Sequence, residues 1–237
     1  MVVLWELRGE FGLLKNPRKI EILSRFFKTG KGQYGEGDVF LGITVPMQRE
    51  LAKKYVQLSL SDVKKLIWSD IHEHRLTGLL ILVYKSKGAD ERLKKELFDF
   101  YMKNISRVNN WDLVDCTAER IVGAYISDKD RSILYSLVKS ENLWERRIAM
   151  ISCFHFIKKD DFADALKIAE LLLEDKHDLI HKAVGWMLRE IGKRDQTIEE
   201  EFLEKHKKTM PRTALRYAIE RFPEEMRNYY LGRKQYK

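Results

Sequence analysis

The stretch IHKAVGWM, residues 180–187, shows a pattern that occurs at three other places in the chain. The matching stretches are EHRLTGLL at 73–80, WERRIAMI at 144–151 and PRTALRYA at 211–218. Each places an Arg or Lys near the start of a helical pattern, followed within one to three positions by Gly78, Ala149, Ala183 or Ala214. A small residue there would let paired helices approach closely. A basic residue near a helix N-terminus is well placed to bind phosphate.

The rest of the chain has the same helical period and almost no strand signals. Its helices pair, and the second helix of each pair recurs at a spacing of roughly 32 to 39 residues, as in helix-pair solenoids. We therefore expect an all-α fold, a right-handed α-solenoid of stacked antiparallel, HEAT-like helix pairs with a concave basic face. For any one repeat, the alternative to phosphate binding is that the basic residue is an ordinary solvated side chain at a helix start.

We expect a single domain over residues 1–237. It would comprise N-terminal helices and a Gly-rich loop (1–44), helix-pair repeats (45–222) and a C-terminal helix or tail (223–237). The predicted helices include PRKIEILSRFFK after the Asn16-Pro17 start signal, ended by Gly30. Continuous helices are also predicted for HEHRLTGLLILVYKS, NWDLVDCTAERIVGAYI, LWERRIAMISCFHFIKK and LIHKAVGWMLREIGK.

Composition narrows the class of protein. The 237 residues carry a formal net charge of +8, which favours a polyanionic partner without requiring one. The sequence has no apolar run long enough for a membrane span and no signal-peptide layout at its start. Its two cysteines, Cys116 and Cys153, imply no disulfide framework. A monomer in a reducing cytoplasm, associated with the nucleoid in a prokaryote, is the expectation.

Two motifs match the sequences of known binding sites but lack the neighbouring elements or ligands that those sites need. GKGQYGEG, residues 30–37, matches GxGxxG, but a helix precedes it where a dinucleotide site needs a strand. The loop is either a plain connector or a segment whose glycines let backbone approach a ligand, with Tyr34 as a candidate substrate-binding residue. His177 and His181 are four apart but have no further ligands in view, so no metal or other cofactor is expected.

The chemistry-bearing residues lie in three successive repeats. On a helix through WDLVDCTAER, Trp111 and Asp115 are four positions apart and share a face. In HKAVGWMLRE, a polar face carries Lys182, Trp186 and Arg189, opposite a buried face. LWERRIAM opens with Trp144 and Arg147. Considered alone, each tryptophan would more often be a buried core residue than a ligand-binding one. An Asp within a helix is likewise often a capping residue that bonds to the nearby backbone.

Taken together and in this order, WDLVD, LWERRIA and KAVGWMLRE resemble the AlkD-type DNA alkylation repair glycosylases, which are built from HEAT-like repeats. DVFLGITVPMQRELAKKY and MPRTALRYAIERF also resemble that family, so the similarity covers about residues 15 to 222. The resemblance implies a catalytic carboxylate at Asp115, an aromatic pair at Trp111 and Trp186, and phosphate-contacting arginines at Arg147 and Arg189. The repeat pattern adds Arg146, Lys182 and Arg212 as basic residues for DNA phosphates.

This family removes alkylated purines such as 3-methyladenine and 7-methylguanine from double-stranded DNA. The resemblance therefore implies a glycosylase of base excision repair. Two other readings stay open: a paralogue that binds damaged or branched DNA without catalysis, and a HEAT-like scaffold that binds a protein on its concave surface. A scaffold would show no strong, salt-dependent affinity for duplex DNA.

Overall fold

The computed structural model describes residues 3–232, and within them the chain is all-α. These residues contain no β-strand and only one isolated parallel bridge, between Val39 and Ile71. Over the same residues the α-helices are α1 (Leu4–Leu14), α2 (Pro17–Phe26), α3 (Val45–Lys54), α4 (Leu60–Ile67), α5 (His72–Ser86), α6 (Glu91–Lys103), α7 (Trp111–Asp115), α8 (Ser132–Val138), α9 (Leu143–Ser152), α10 (Phe154–Ile157), α11 (Ala163–Leu172), α12 (Asp178–Gly192), α13 (Gln196–His206), α14 (Arg212–Ala218) and α15 (Glu224–Leu231). No helix in this described part is long and apolar enough to cross a membrane.

The chain divides into two compact units, Met1–Ile121 with α1 to α7 and Val122–Lys237 with α8 to α15. The all-α class is confirmed. The single-domain organisation, the right-handed array and its concave basic face stay predictions. The end of the predicted tail, residues 233–237, lies outside the described residues, as do residues 1 and 2.

In the first unit, α5 is the central element. It begins and ends as the sequence predicts, its residues from Leu76 to Val83 are buried, and it packs against α3, α4, α6 and α7. A Cβ added at Gly78 would lie 3.0 Å from the Cβ of Leu66 on α4. The small residue therefore lets α4 and α5 approach closely, as the repeat pattern predicted.

In the second unit, α12 is the central element and packs against α9, α11, α13 and α14. Ala149, Ala183 and Ala214 are fully buried, in agreement with the repeat pattern. Helices α12 and α14 also approach closely at Gly185, where an added Cβ would lie 2.2 Å from the Ala214 carbonyl oxygen. Only a residue without a side chain fits between α12 and α14 at this point.

The predicted end of α2 at Gly30 is wrong. The helix ends at Phe26, and Lys28 takes a left-handed backbone conformation with φ 56°. The glycine loop then folds back on this end: Gly35 N–H donates to the Lys28 carbonyl at 3.1 Å, and a Cβ on Gly35 would lie 2.2 Å from the Phe27 carbonyl oxygen. Packing of the loop, rather than Gly30, ends the helix.

The continuous helix predicted through WDLVDCTAER is also wrong. Helix α7 stops at Asp115, a turn follows, and a π-helical segment runs over Glu119–Gly123. The Thr117 hydroxyl donates to the Leu113 carbonyl at 2.5 Å, and the Thr117 N–H turns to the carbonyl of Val114 at 3.0 Å. Such side-chain bonds to the backbone compete with the regular helical ladder.

Two further helices differ from the sequence predictions. LWERRIAMISCFHFIKK divides at Cys153 into α9 and α10. The Ser152 hydroxyl there donates to the Ile148 carbonyl at 2.7 Å, the kind of side-chain bond that bends helices. Helix α1 was not predicted individually. It buries Leu4, Leu7 and Phe11, and its low amphipathicity reflects the apolar Trp5 and Leu13 on its exposed side.

Candidate active site

Helix α7 carries the predicted catalytic pair in the first unit. Asn110 caps its start, accepting the Trp111 N–H at 2.8 Å, and is itself fully buried. Asp112, Leu113 and Val114 are buried, whereas Trp111 and Asp115 are half-buried. Trp111 and Asp115 thus lie four residues apart on α7, at its first and last positions.

An aromatic stack supports Trp111 from one side. The Phe27 ring lies parallel to the indole, with centroids 5.1 Å apart and an interplanar angle of 9°. Phe26 meets the indole edge-on at 5.7 Å, and Phe40 stacks on Phe27 at 5.0 Å. Because Phe27 covers one face of Trp111, a ligand stacking on this indole would use the opposite face.

Tyr34 contributes to this support. Its hydroxyl donates to the Phe26 carbonyl at 3.3 Å, so the glycine loop is tied to the end of α2. The side chain is half-buried rather than free in a flexible connector. The structure thus links Tyr34 to the residues that pack on Trp111, while its predicted contact with substrate stays a prediction.

A buried ionic network holds α7 to α5. His72 lies between two carboxylates, with Nδ1 2.9 Å from Asp38 Oδ2 and Nε2 2.8 Å from Asp112 Oδ2. Asn110 Nδ2 donates to the same Asp38 oxygen at 2.9 Å, and Arg75 forms an ion pair with the other Asp38 oxygen. The network thus engages both the residue that caps α7 and the residue that follows Trp111.

Burial and charge oppose each other at His72. Burial alone would lower its pKa, but the charge of Asp112 and hydrogen bonds to Asp112 and Asp38 raise the pKa to about 9. At Asp38, burial would raise the pKa, and the bond to His72 and the charge of Arg75 reverse this and lower it. At neutral pH the imidazole is therefore a cation that donates from both nitrogens.

Arg75 is a correction to the repeat pattern, which placed a basic anchor at the start of each second helix. Its side chain is only 1% exposed and donates to the carbonyls of Ser69 at 3.1 Å and Asp70 at 3.0 Å as well as to Asp38. Bound in this way, Arg75 holds the loop before α5 and has no surface from which to contact phosphate.

Cys116 follows Asp115 and is not an activated nucleophile. Burial raises the pKa of its thiol to about 11, with further contributions from the charges of Asp112 and Asp115, against an opposing effect of Arg49. Nucleophilic cysteines need the reverse, a lowered pKa. The role of Asp115, the neighbouring carboxylate, stays a prediction.

In the second unit, α12 presents the predicted polar face. Lys182, Trp186 and Arg189 are half-buried, opposite the fully buried Val184, Met187, Leu188 and Ile191. The Trp186 Nε1–H donates to Glu190 at 3.1 Å, and the indole lies 5.9 Å from the Phe154 ring. Lys182 pairs with Asp178 at 3.0 Å.

The two arginines that open α9 are engaged within the unit. Arg146 pairs with Asp175 at 2.6 Å and donates to two backbone carbonyls. Arg147 is 5% exposed and donates to the Leu179 carbonyl. Arg146 therefore links α9 to the segment before α12, and Arg147 links α9 to the first turn of α12.

Arg189 is half-buried, as Arg146 is, whereas Arg212 is exposed. Arg189 forms an ion pair with Glu220, and the exposed Arg212 donates to the Leu231 carbonyl at 3.0 Å. These intramolecular partners, which a DNA phosphate would have to share or displace, are not predictable from the repeat pattern. The phosphate contacts of all five basic residues stay predictions, as does the convergence of the Trp111 and Trp186 sites on one lesion.

Sequence reasoning assigned no role to Asp38, His72 or Asp112. One signal was present: in WDLVD, Asp112 falls on the buried side of α7, where an acidic residue requires a partner. Nothing in the sequence says that the partner is a histidine on another helix. Within residues 3–232, no group of three or more His, Cys, Asp or Glu residues is arranged to hold a metal ion.

The chain matches one known protein family over most of its length. The DNA alkylation repair enzymes match the chain over residues 7–222. The chain belongs to this family. The resemblance that the sequence motifs indicated is thereby confirmed, and with it a role in DNA alkylation repair. No curated protein matches the sequence significantly.

Solved structures agree with the fold. A predicted DNA alkylation repair enzyme from Enterococcus faecalis superposes with a TM-score of 0.67 at 18% identity, covering 89% of this chain and 97% of the other. AlkD2 from Streptococcus mutans superposes with a TM-score of 0.55 at 20% identity, covering 87% and 98%. The protein smu.31 from Streptococcus mutans UA159 gives 0.55 at 19% identity with the same coverage. At these identities the similarity establishes the fold alone.

Proposed function

We propose that this protein is a DNA glycosylase that hydrolyses the N-glycosidic bond of cationic N-alkylated purines, such as 3-methyladenine and 7-methylguanine, in double-stranded DNA. The products, a free base and an abasic site, would enter base excision repair. The observation that carries the proposal is the pairing of a half-buried carboxylate, Asp115, with a half-buried indole, Trp111, on one face of α7. Membership of the alkylation repair family supports it.

The chemistry of the lesion requires only one carboxylate. Alkylation at these ring nitrogens makes the purine a cation, which leaves without protonation by a general acid. Most glycoside hydrolases need two carboxylates because their leaving group must be protonated. As the bond breaks, positive charge develops on the sugar, and the Asp115 carboxylate would stabilise it and orient the attacking water.

The aromatic residues would select the charged lesion. An indole face attracts a cation by roughly 0.5 to 2 kcal/mol, so Trp111 and Trp186 would favour an alkylated base over a neutral one. Phe27 covers one face of Trp111 and fixes its plane. Tyr34 would act in this substrate-binding set, either directly or through its bond to the Phe26 carbonyl.

The basic residues of the second unit would bind the duplex through its phosphates. Part of the side chain reaches the surface in Lys182, Arg189, Arg212 and Arg146, and the buried Arg147 follows Arg146 on α9. Contacts of this kind position DNA without reading its sequence, which suits an enzyme that must find lesions in any context.

The decisive experiment measures the release of free methylated base from methylated duplex DNA. It compares the wild type with Asp115→Asn, which keeps the shape of the side chain and removes its charge. Asp70→Asn is the matched control, because Asp70 is in the same unit and its side chain is exposed. We expect release by the wild type and the control, and a rate lower by about 100-fold or more for Asp115→Asn, with DNA binding retained.

Other outcomes identify the alternatives. Wild-type rates in Asp115→Asn would refute the catalytic assignment. The absence of release by the wild type, together with salt-sensitive duplex binding, would favour a non-catalytic binder of damaged DNA. If the wild type bound no duplex either, the protein-scaffold reading would lead.

A further inference from the structure

Two arginines of the first unit lie beside the candidate active site. Arg49 belongs to α3 and is half-buried, and Arg120 belongs to the π-helical segment Glu119–Gly123 and is exposed. The repeat pattern had placed the phosphate anchor of this unit at Arg75, which is buried and bound to Asp38. Arg49 and Arg120, by contrast, both have side-chain surface that a ligand can reach.

Both side chains reach Cys116, the residue that follows Asp115. Arg49 donates from Nη2 to the Cys116 sulfur at 3.6 Å, and Arg120 donates from Nη1 to the Cys116 carbonyl at 3.4 Å. Burial and the charges of nearby carboxylates raise the pKa of the Cys116 thiol, and the charges of both arginines oppose this rise. Two guanidinium groups from separate segments of the chain thus converge at the end of α7 that carries Asp115.

These two bonds use little of the hydrogen-bonding capacity of the arginines. A guanidinium group has five N–H donors, and a thiol sulfur is a weak acceptor. A separation of 3.4 Å is long for an N–H···O bond, whose usual range ends at roughly 3.2 Å. Within residues 3–232 neither arginine pairs with a carboxylate. An anion that bound here would therefore replace weak bonds, whereas at Arg146, Lys182 or Arg189 it would have to displace a carboxylate.

A carboxylate that acts on DNA has to approach a polyanion. Phosphates on one strand recur about every 3.4 Å along the helix axis, so a sugar placed at Asp115 brings its flanking phosphates close to the same carboxylate. The repulsion between these charges would oppose binding unless cations lay beside them. Arg49 and Arg120 supply two positive charges at the adjacent residue. A phosphodiester group is also a strong partner for guanidinium, which can bind it through two parallel, charge-assisted hydrogen bonds.

We propose that Arg49 and Arg120 together bind one phosphate of the DNA backbone, the phosphate next to the nucleotide whose sugar lies at Asp115. The proposal rests on the proposed function, since it takes Asp115 as the group that faces the sugar. It adds a phosphate site in the first unit, formed by two residues outside the set that the sequence predicted. Held at this phosphate, the strand would keep the N-glycosidic bond against the Asp115 carboxylate.

The test uses duplexes in which single phosphates are replaced by neutral methylphosphonates. Each duplex carries one tetrahydrofuran residue, a stable analogue of an abasic site, so no base is released during the measurement. Fluorescence anisotropy gives the affinities of the wild type, Arg49→Gln and Arg120→Gln. We expect one methylphosphonate adjacent to the analogue to weaken binding by the wild type about tenfold. In each variant the same methylphosphonate should weaken binding by less than about twofold, because the contact that it removes is already lost.

Arg92→Gln is the matched control, because Arg92 is an exposed arginine of the same unit. It should show the same loss of affinity, about tenfold, that the methylphosphonate causes in the wild type. The full loss in Arg49→Gln or in Arg120→Gln would overturn the paired site, as would a wild type that is insensitive to every phosphate flanking the analogue.

Thermal unfolding distinguishes a purely structural role. If the two arginines only stabilised the end of α7, their replacement would lower the unfolding temperature and leave the effect of the methylphosphonate unchanged, and the proposal would be wrong. The proposed function fails separately, because it depends on base release from methylated DNA, whereas this experiment measures binding to DNA that has no base to release.

Discussion

The imidazole Nε2 of His72 lies 2.8 Å from Oδ2 of Asp112, the residue that follows Trp111 in the chain. These two buried groups are 40 residues apart and belong to different helices, α5 and α7. The bond is charge-assisted, the stronger class of hydrogen bond. The position of the proposed catalytic helix therefore depends on a proton held by a histidine that does not itself carry out the chemistry.

Stability should depend on pH through His72. Its pKa in the folded protein is about 9, against an ordinary 6.5, so its stabilising effect is complete below pH 6.5 and is lost as pH rises through 9. Between these values the free energy of unfolding of the wild type should fall by about 3 kcal/mol more than that of His72→Gln. Urea unfolding at a series of pH values measures the difference.

His74→Gln is the control for this experiment. His74 lies on the same helix, but burial and the nearby charges of Arg8 and Arg75 lower its pKa to about 4. It is therefore neutral throughout the range from pH 6.5 to 9.5, and its removal should leave the slope unchanged. Equal slopes for the wild type and His72→Gln would show that the imidazole is not protonated in the folded protein.

Local sequence patterns predicted most of the helices because each pattern acts over a few residues. The period of apolar residues located α5 from His72 to Ser86, and it placed α12 within one residue of its observed start. The errors came from contacts that a period does not encode. The glycine loop folded back on Phe27 ends α2, and the Thr117 hydroxyl interrupts the helix after Asp115.

The same distinction applies to the candidate site. Trp111 and Asp115 were predictable as a pair because they are four residues apart on one helix. The network behind them was not, because Asp38 and Asp112 lie 34 and 40 residues from His72 in sequence. Sequence spacing identifies residues that share a helix face, whereas partners on separate helices depend on packing that a single sequence does not specify.

Substitution of Arg212 and substitution of Arg147 should have different effects on DNA affinity and on stability. Arg212 is exposed, so Arg212→Ala should weaken binding to methylated and unmethylated duplex alike and reduce the salt slope by about 0.9 for one lost phosphate contact, with little effect on stability. Arg147 is buried, so Arg147→Ala should also lower the free energy of unfolding, by about 1–3 kcal/mol, because it removes the buried hydrogen bond to the Leu179 carbonyl. Fluorescence anisotropy from about 50 to 200 mM salt measures the slopes.

Arg92→Ala serves as the control for charge alone. Arg92 is an exposed arginine of the first unit and lies outside the predicted phosphate-binding set. Arg92→Ala should lower the affinity for duplex DNA less than Arg212→Ala does. Equal effects of the two substitutions would indicate that the protein attracts DNA through its net charge rather than through a defined surface. If Arg147→Ala changed stability but not the affinity of the folded protein, Arg147 would have no direct phosphate contact.

Gly185→Ala tests the close approach of α12 and α14. The added methyl group would lie 2.2 Å from the Ala214 carbonyl oxygen and 2.5 Å from the Tyr217 Cβ, so the helices would have to separate. We expect the free energy of unfolding to fall by about 1–3 kcal/mol, as for other overpacked cores. Gly12→Ala is the control, because its methyl group would meet no atom within 4 Å and should slightly favour α1. Equal stability of the two variants would refute the close contact.

Glu199 is a destabilising acid in the second unit. It is 1% exposed, and its Oε1 has no hydrogen-bond partner among the described residues. Burial, aided by the charge of Glu200 and opposed by that of Arg189, raises its pKa to about 8 from an ordinary 4.5. Because the folded state favours the protonated acid, the wild type should lose stability as pH rises from 4.5 to 8.

Glu199→Gln keeps the shape of this side chain and cannot ionise. It should match the wild type near pH 4.5 and exceed it at pH 8.5 by at least about 2 kcal/mol in free energy of unfolding. The exposed Glu201→Gln, on the same helix, should show no such gain. Denaturant unfolding at both pH values gives the comparison. A gain for Glu199→Gln that is equal at pH 4.5 and 8.5 would mean that the carboxyl does not titrate between them, and that packing rather than charge distinguishes the two side chains.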